Sequence, residues 1–137
     1  MRYLIDTNIF TKMVNEDDLF SNDVRNILDD YENIIYVSSE SIKEFIHLVQ
    51  NKKFVLKKDF YLHNVLDLIE NKFGLIVKYV TKEHLQTLTK LVLIEGHNDP
   101  SDRLIISQSL TERIPLISSD TKFPKYRKQG LDLIVNC

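Results

Sequence analysis

Four short apolar runs, each continuous rather than alternating, punctuate this chain, and helical patterns fill the stretches between them. The runs are Arg2-Tyr3-Leu4-Ile5, Ile34-Ile35-Tyr36-Val37, Leu75-Ile76-Val77 and Pro115-Leu116-Ile117-Ser118, with Leu131 to Val135 as a candidate fifth. A strand that is apolar on both faces needs cover on both faces, which points to a parallel sheet between helical layers. The expected fold is therefore α/β: a three-layer sandwich with a central, mostly parallel sheet of four to five strands flanked by helices. Helical spacing marks Ile9 to Val14, Ser21 to Tyr31, and the segment after Ser38, where Ile42, Phe45, Ile46 and Val49 share a face. It returns at Phe60 to Asn71, after Thr81 (Leu85, Leu88, Leu91, Val92), and from Ser101 to Thr111. Asn51 to Lys58 reads as a connector and Gly96 to Pro100 as a break. With no repeat, linker or low-complexity stretch, residues 1–137 are expected to form one domain.

Composition narrows the function classes. The 18 Lys and Arg residues are outnumbered by 20 Asp and Glu, giving a net charge of −2, so any nucleic-acid binding must rely on local basic patches. No run approaches the length of a membrane span, and the opening MRYLIDTN is strand-like rather than a signal peptide, so a cytoplasmic protein is expected. The single cysteine, Cys137, excludes an internal disulfide. The four histidines, His47, His63, His84 and His97, lack zinc-site spacing.

Chemistry is sought at the carboxyl ends of the strands, where open parallel sheets bind their ligands. Asp6 follows the first strand and Asp120 the fourth, and Asp102 lies in the first turn of a helix expected to start on the same side. Each also has a plain structural reading. Asp6 and Asp120 suit turns, while Asp99, Pro100 and Asp102 together resemble a helix start in which Asp99 is the cap. Asp102 shares a stripe with Ile105, Ile106 and Ser109, which sets its charge beside a buried face. Glu44 lies nearly opposite the apolar stripe of its helix and by pattern alone reads as solvated. The joint arrangement is what raises the four acids.

That arrangement resembles a known family. Leu4-Ile5-Asp6-Thr7-Asn8, Ser38-Ser39-Glu40-Ser41-Ile42-Lys43-Glu44-Phe45, His97-Asn98-Asp99-Pro100-Ser101-Asp102-Arg103-Leu104-Ile105-Ile106 and Leu116-Ile117-Ser118-Ser119-Asp120 resemble, in order and spacing, the PIN domain, and most closely the VapC-type toxins. Nearly the whole chain is covered. The resemblance implies an acidic quartet of Asp6, Glu44, Asp102 and Asp120 around a divalent metal, Mg2+ or Mn2+, with Asn8 and Ser118 in support. Asp99 belongs to a form of the motif in which a histidine and two aspartates flank the proline, either assisting or only capping. Ser101 departs from the aromatic often found there, and Ser107 and Ser109 stand where alanines are usual.

The function so implied is cleavage of RNA phosphodiester bonds that leaves a 5′-phosphate and a 3′-hydroxyl, by the toxin of a type II toxin–antitoxin pair. A cognate antitoxin and a homodimer are implied partners. Asp6, Asp102 and Asp120 would hold the ion, and Glu44 a second ion or the attacking water. His97 alone among the histidines lies near this site. Lys122, Lys125, Arg127 and Lys128 form a candidate RNA-binding strip, and Lys52, Lys53, Lys57 and Lys58 a second basic group. Two other readings compete: a non-catalytic PIN-like binding module, and a metal-dependent phosphohydrolase of another class. The aspartyl-nucleophile kind of the latter would want Asp-x-Asp after the first strand, where this chain has Asp6-Thr7-Asn8.

Overall fold

The computed structural model describes residues 1–16, 19–57 and 60–137. Strands β1 (Arg2–Ile5), β2 (Ile34–Ser38), β3 (Ile76–Lys78), β4 (Leu116–Ser118) and β5 (Leu133–Val135) form one sheet in the order β3-β2-β1-β4-β5. Every pairing is parallel, so the sheet is wholly rather than mostly parallel. The candidate fifth strand is present, with Leu133 beside Leu116 and Val135 beside Ser118.

The strands' two-sided apolarity is used as expected. Tyr3, Ile5, Ile35, Val37 and Ile117 face one core with α1 (Thr7–Val14), α2 (Asn22–Asp29), α3 (Ser39–Gln50) and α4 (Val65–Asn71). Leu4, Leu116 and Leu133 face the other with α5 (Lys82–Lys90) and α6 (Pro100–Glu112). Phe45 anchors the first core, its ring meeting Phe10 at 5.2 Å and Phe54 at 5.3 Å in edge-on geometry. The chain moves outward from β1 through β2 to β3, then crosses by α5 and α6 to β4 on the far side of β1. Strands β1 and β4 thus flank the point where strand order reverses, the place at which such sheets open a crevice.

Three elements differ from their expected bounds. The helix expected over Ser21 to Tyr31 ends at Asp29. Phe60 to Asn71 is a short 3₁₀ turn, Leu62–Asn64, leading into α4. The helix after Thr81 stops at Lys90 because Gln129 captures the chain: the Val92 N–H donates to Gln129 Oε1, and Gln129 Nε2 donates to the Val92 carbonyl. Gln129 ends an unanticipated 3₁₀ helix, Phe123–Gln129, whose three-residue period puts Phe123 and Tyr126 on one buried side. Of the second basic group, Lys58 lies outside the described residues.

Candidate metal centre

Asp6 leaves β1 in extended conformation and caps α1, with Oδ1 accepting from the Thr7 N–H at 2.8 Å. Its Oδ2 accepts from Ser118 Oγ at 2.7 Å and from Asn8 Nδ2 at 3.2 Å. Ser118, at the end of β4, also accepts from the Asp120 N–H at 3.0 Å, and Asn8 Oδ1 accepts from the Ser119 N–H at 3.2 Å. Asn8 and Ser118 therefore lace the ends of β1 and β4 together around the Asp6 carboxylate. Asp120 turns back on its own loop, accepting from the Lys122 N–H at 2.8 Å.

Asp102 enters from the second core side. Asp99 caps α6, accepting from the Asp102 N–H at 3.0 Å, with Pro100 in the first turn. That cap orients the first turn so that the Asp102 side chain reaches the crevice, where its Oδ2 lies 3.1 Å from His97 Nε2. Glu44 enters from α3. It is half-buried rather than fully solvated: Thr7 Oγ1 donates to Glu44 Oε1 at 2.9 Å and also meets the buried Ser41 hydroxyl at 2.9 Å. A helical wheel misplaces Glu44 because α3 buries two faces, an apolar one on the sheet and a small, polar one (Ser41, Glu44) against α1.

Electrostatics follow from this crowding. Burial pushes the Asp6 carboxyl up to about 7; the Ser118 hydrogen bond opposes the rise, and the nearby charges of Asp102 and Glu44 add to it. Asp102 is also pushed up to about 7, by burial and then by Asp99, Glu44 and Asp120, with Lys122 too weak to compensate. Glu44 is raised by burial, against its bond from Thr7. His97 is lowered, chiefly by burial, which favours the neutral ring. Among the described residues, single ligand atoms of His97, Asp102 and Asp120 all lie within 4.8 Å of one another. Asp6 stands beside this group rather than inside it, its two oxygens engaged as above. Carboxylates crowded together in this way form a donor set suited to a hard divalent cation, whose charge would offset their repulsion.

Residues 3–129 match the family model described as the PIN domain. The chain belongs to the PIN domain family. Solved structures that share its fold include VapBC2 from Rickettsia felis bound to a DNA fragment from its promoter, at 20% identity and TM-score 0.70 over 100% of both chains. VapBC-1 from nontypeable Haemophilus influenzae is similar at 18% identity and TM-score 0.67 over 98% of each chain. DNA-bound VapBC from Salmonella typhimurium follows at 16% identity and TM-score 0.65, covering 100% of this chain and 99% of that one. No curated protein matches the sequence.

In this PIN domain the four sequence-nominated acids lie at one end of the sheet: Asp102 and Asp120 are close neighbours, Asp6 is buried between the ends of β1 and β4, and Glu44 approaches from α3. Thr7 and Tyr126 receive no role from sequence reasoning, which places His97 near the site and within reach of substrate but gives it no part in holding Asp102. Thr7 lies between Asp6 and Asn8, both of which do, so its position is a usable signal. Tyr126, 29 residues beyond His97, meets it only through the 3₁₀ helix, and no local pattern announces that. Of the nominated basic strip, Lys122 donates from Nζ to the Gly96 carbonyl and Arg127 to the Leu133 carbonyl, while Lys125 and Lys128 are exposed. No helix of the described residues is long and apolar enough to cross a membrane.

Proposed function

We propose that this PIN domain is a Mg2+- or Mn2+-dependent endoribonuclease, acting in the cytoplasm as the toxin of a type II toxin–antitoxin pair. The observation that carries the reading is geometric: ligand atoms of His97, Asp102 and Asp120 lie within 4.8 Å of one another, close enough to Asp6 and Glu44 for their charges to interact, and burial raises the Asp6 and Asp102 carboxyls further. Structural acids are ordinarily paired; a cluster left uncompensated at the switch point of a parallel sheet suits a bound cation. Asp102 and Asp120 would hold the ion, with Asp6 fixed beside them by Ser118 and Asn8. When bound, the cation neutralises charge on a phosphate and makes a nearby water more acidic.

Glu44 acts as the base. Thr7 holds one of its oxygens, leaving the other to accept a proton from a water attacking phosphorus in line with the 3′-oxygen. The P–O3′ bond breaks and O3′ takes a proton from solvent water, leaving a 5′-phosphate on one product and a 3′-hydroxyl on the other, while Glu44 returns its proton to solvent. Asp99 remains a helix cap in this scheme and adds negative potential. The antitoxin partner rests on the similar structures: one is described as a toxin–antitoxin complex from Klebsiella pneumoniae, at 13% identity and TM-score 0.65. A partner tail carrying basic residues would complement the acidic crevice, and a homodimer accompanies the reading.

Incubating the purified chain with RNA and with small phosphomonoesters, with and without Mg2+ or Mn2+, tests the proposal. Metal-dependent RNA cleavage that Asp6→Asn abolishes, together with growth arrest on expression of the native chain only, is expected. Cleavage of monoesters alone would favour the phosphohydrolase, and activity on neither would favour a binding module.

A further inference from the structure

Behind Asp102 lies a pair of buried polar side chains that the scheme above does not use. His97 is 3% exposed and Tyr126 fully buried, and the phenol oxygen lies 2.5 Å from His97 Nδ1. The other ring nitrogen, Nε2, is the one 3.1 Å from Asp102 Oδ2. We propose that His97 and Tyr126 are positioning residues for the metal centre: Tyr126 donates to His97 Nδ1, and His97 donates from Nε2 to Asp102 Oδ2, leaving Oδ1 for the cation. This rests on the reading of the crevice as a metal site.

The placement of protons selects the direction. Arg103 acts on the phenol as positive charge and as a donor, opposing the rise that burial causes, so the phenol oxygen is the acceptor on that side. Among the described residues the imidazole Nδ1 is the acceptor that the phenol proton meets, and a buried hydroxyl left without one costs about 1–3 kcal/mol. With Nδ1 accepting, the neutral ring carries its proton on Nε2, aimed at the carboxylate. The opposite tautomer would strand the phenol proton and, with Asp102 ionised as holding a cation requires, set an imidazole lone pair against the carboxylate. It is also the tautomer that direct ligation by Nε2 would require, so the arrangement makes His97 a holder of a ligand rather than a ligand. Orientation of ligand groups by buried hydrogen-bond partners is a general requirement of metal sites.

The surroundings hold the ring still. Phe123 packs edge-on at 5.8 Å, the His97 N–H donates to the Ile94 carbonyl, and Lys122 fastens the loop through the Gly96 carbonyl at 2.9 Å. Without such a brace, repulsion from Asp99, Glu44 and Asp120 would favour an Asp102 rotamer swung toward solvent.

Two measurements test the relay. Nitrogen-15 NMR of the histidine rings should find Nδ1 of His97 unprotonated and Nε2 protonated, with and without saturating Mg2+; a proton on Nδ1 would overturn it. Mn2+ binding, followed by electron paramagnetic resonance, should weaken about 10- to 100-fold in His97→Leu. His97→Gln, whose amide N–H can reach the place of Nε2, should recover most of that loss, and Tyr126→Phe should fall between. Equal Mn2+ affinity in the native chain and His97→Leu would sink the proposal; should that variant fail to fold, Tyr126→Phe and the ring tautomer still decide. If the native chain binds no Mn2+, the metal-site reading fails, while the tautomer still tests the hydrogen-bond chain.

Discussion

Helix α6 carries an acid at each end, Asp102 in its first turn and Glu112 as its last residue, and the two behave oppositely. The helix dipole favours a carboxylate at the N-terminus and disfavours one at the C-terminus. By that criterion Asp102 should ionise easily and Glu112 with difficulty. Instead Asp102 is pushed up to about 7, whereas Glu112 is held below its ordinary range, first by a hydrogen bond from Lys78. Lys78 Nζ sits 3.0 Å from Glu112 and 4.1 Å from the centre of the Tyr36 ring, and His84 Nε2 lies 3.4 Å from the other carboxylate oxygen. Burial, with the neighbouring acids, outweighs the dipole at Asp102, and a hydrogen-bond partner outweighs it at Glu112. Glu112 is an acid the fold has neutralised; Asp102 is one it has left crowded by others.

The sharpest way to break this contrast is catalytic. Asp6→Asn or Asp102→Asn should lower metal-dependent RNA cleavage by more than the roughly 10- to 100-fold that loss of an outer-shell partner costs. Glu112→Gln should leave the rate within about twofold, because its charge serves Lys78 and His84 rather than the crevice. Initial rates on one RNA at saturating Mg2+ measure all three. Comparable losses from Glu112→Gln and Asp102→Asn would erase the distinction.

Stability gives the next largest effects, and their signs mirror each other. Asp102 has its folded pKa raised from 3.8 to about 7, so between those values the folded chain binds more protons than the unfolded one. The metal-free protein therefore loses stability as pH rises from about 4 to about 7, by at most about 1.4 kcal/mol for each pH step of one, with coupling to Asp6 blurring the share of each. Asp102→Asn should melt above the native chain at pH 8 without metal, and the gap should close toward pH 4. Mg2+ at about a hundred times its dissociation constant should add about 2.7 kcal/mol to the native chain. A melting curve unmoved by both Mg2+ and Mn2+ would remove the basis for a shared cation.

Glu112 runs the other way. Its folded pKa is depressed, so its stabilisation is present above the unfolded value and disappears as pH falls through the folded one. Glu112→Gln, which strips partners from Lys78 and His84, should cost about 1–3 kcal/mol at neutral pH and progressively less in acid. Denaturant unfolding at a neutral and an acid pH measures the difference.

The same two ends show which parts of the structure are legible in sequence. Strand runs and helix caps are local: Ser38, Thr81 and Asp99 each precede their helices as cap chemistry demands, and the five strands lie where continuous apolar runs put them. Asp6 and Asp120 are legible because a parallel sheet fixes which strand ends carry ligands. Glu44 is legible only through resemblance, since a single helical wheel has no means of representing a helix wedged between a sheet and a second helix. The Tyr126–His97–Asp102 contacts depend on an irregular 3₁₀ segment whose path is set by packing, and Lys78 meets Glu112 only once β3 and α6 are docked.

The basic residues yield the smallest expected effect and the finest cut. Lys125 and Lys128 are exposed on the 3₁₀ helix that follows Asp120, whereas Lys122 and Arg127 commit donors to the Gly96 and Leu133 carbonyls. Lys52 and Lys53 follow the C-terminal end of α3, and because α3 starts at the acidic edge, they sit at the opposite end of the sheet. Reversing Lys125 and Lys128 to Glu should weaken cleavage severalfold at low salt and flatten the log–log salt dependence of RNA binding by about 0.7 for each phosphate left without a basic partner. Reversing Lys52 and Lys53 should change neither quantity, since charges farther away than about 10 Å are screened at ordinary ionic strength. Equal effects from the two pairs would mean that RNA spreads over the whole molecule. An effect from Lys52 and Lys53 alone would place its path on the far side from the acids, at odds with cleavage at Asp6 and Asp102.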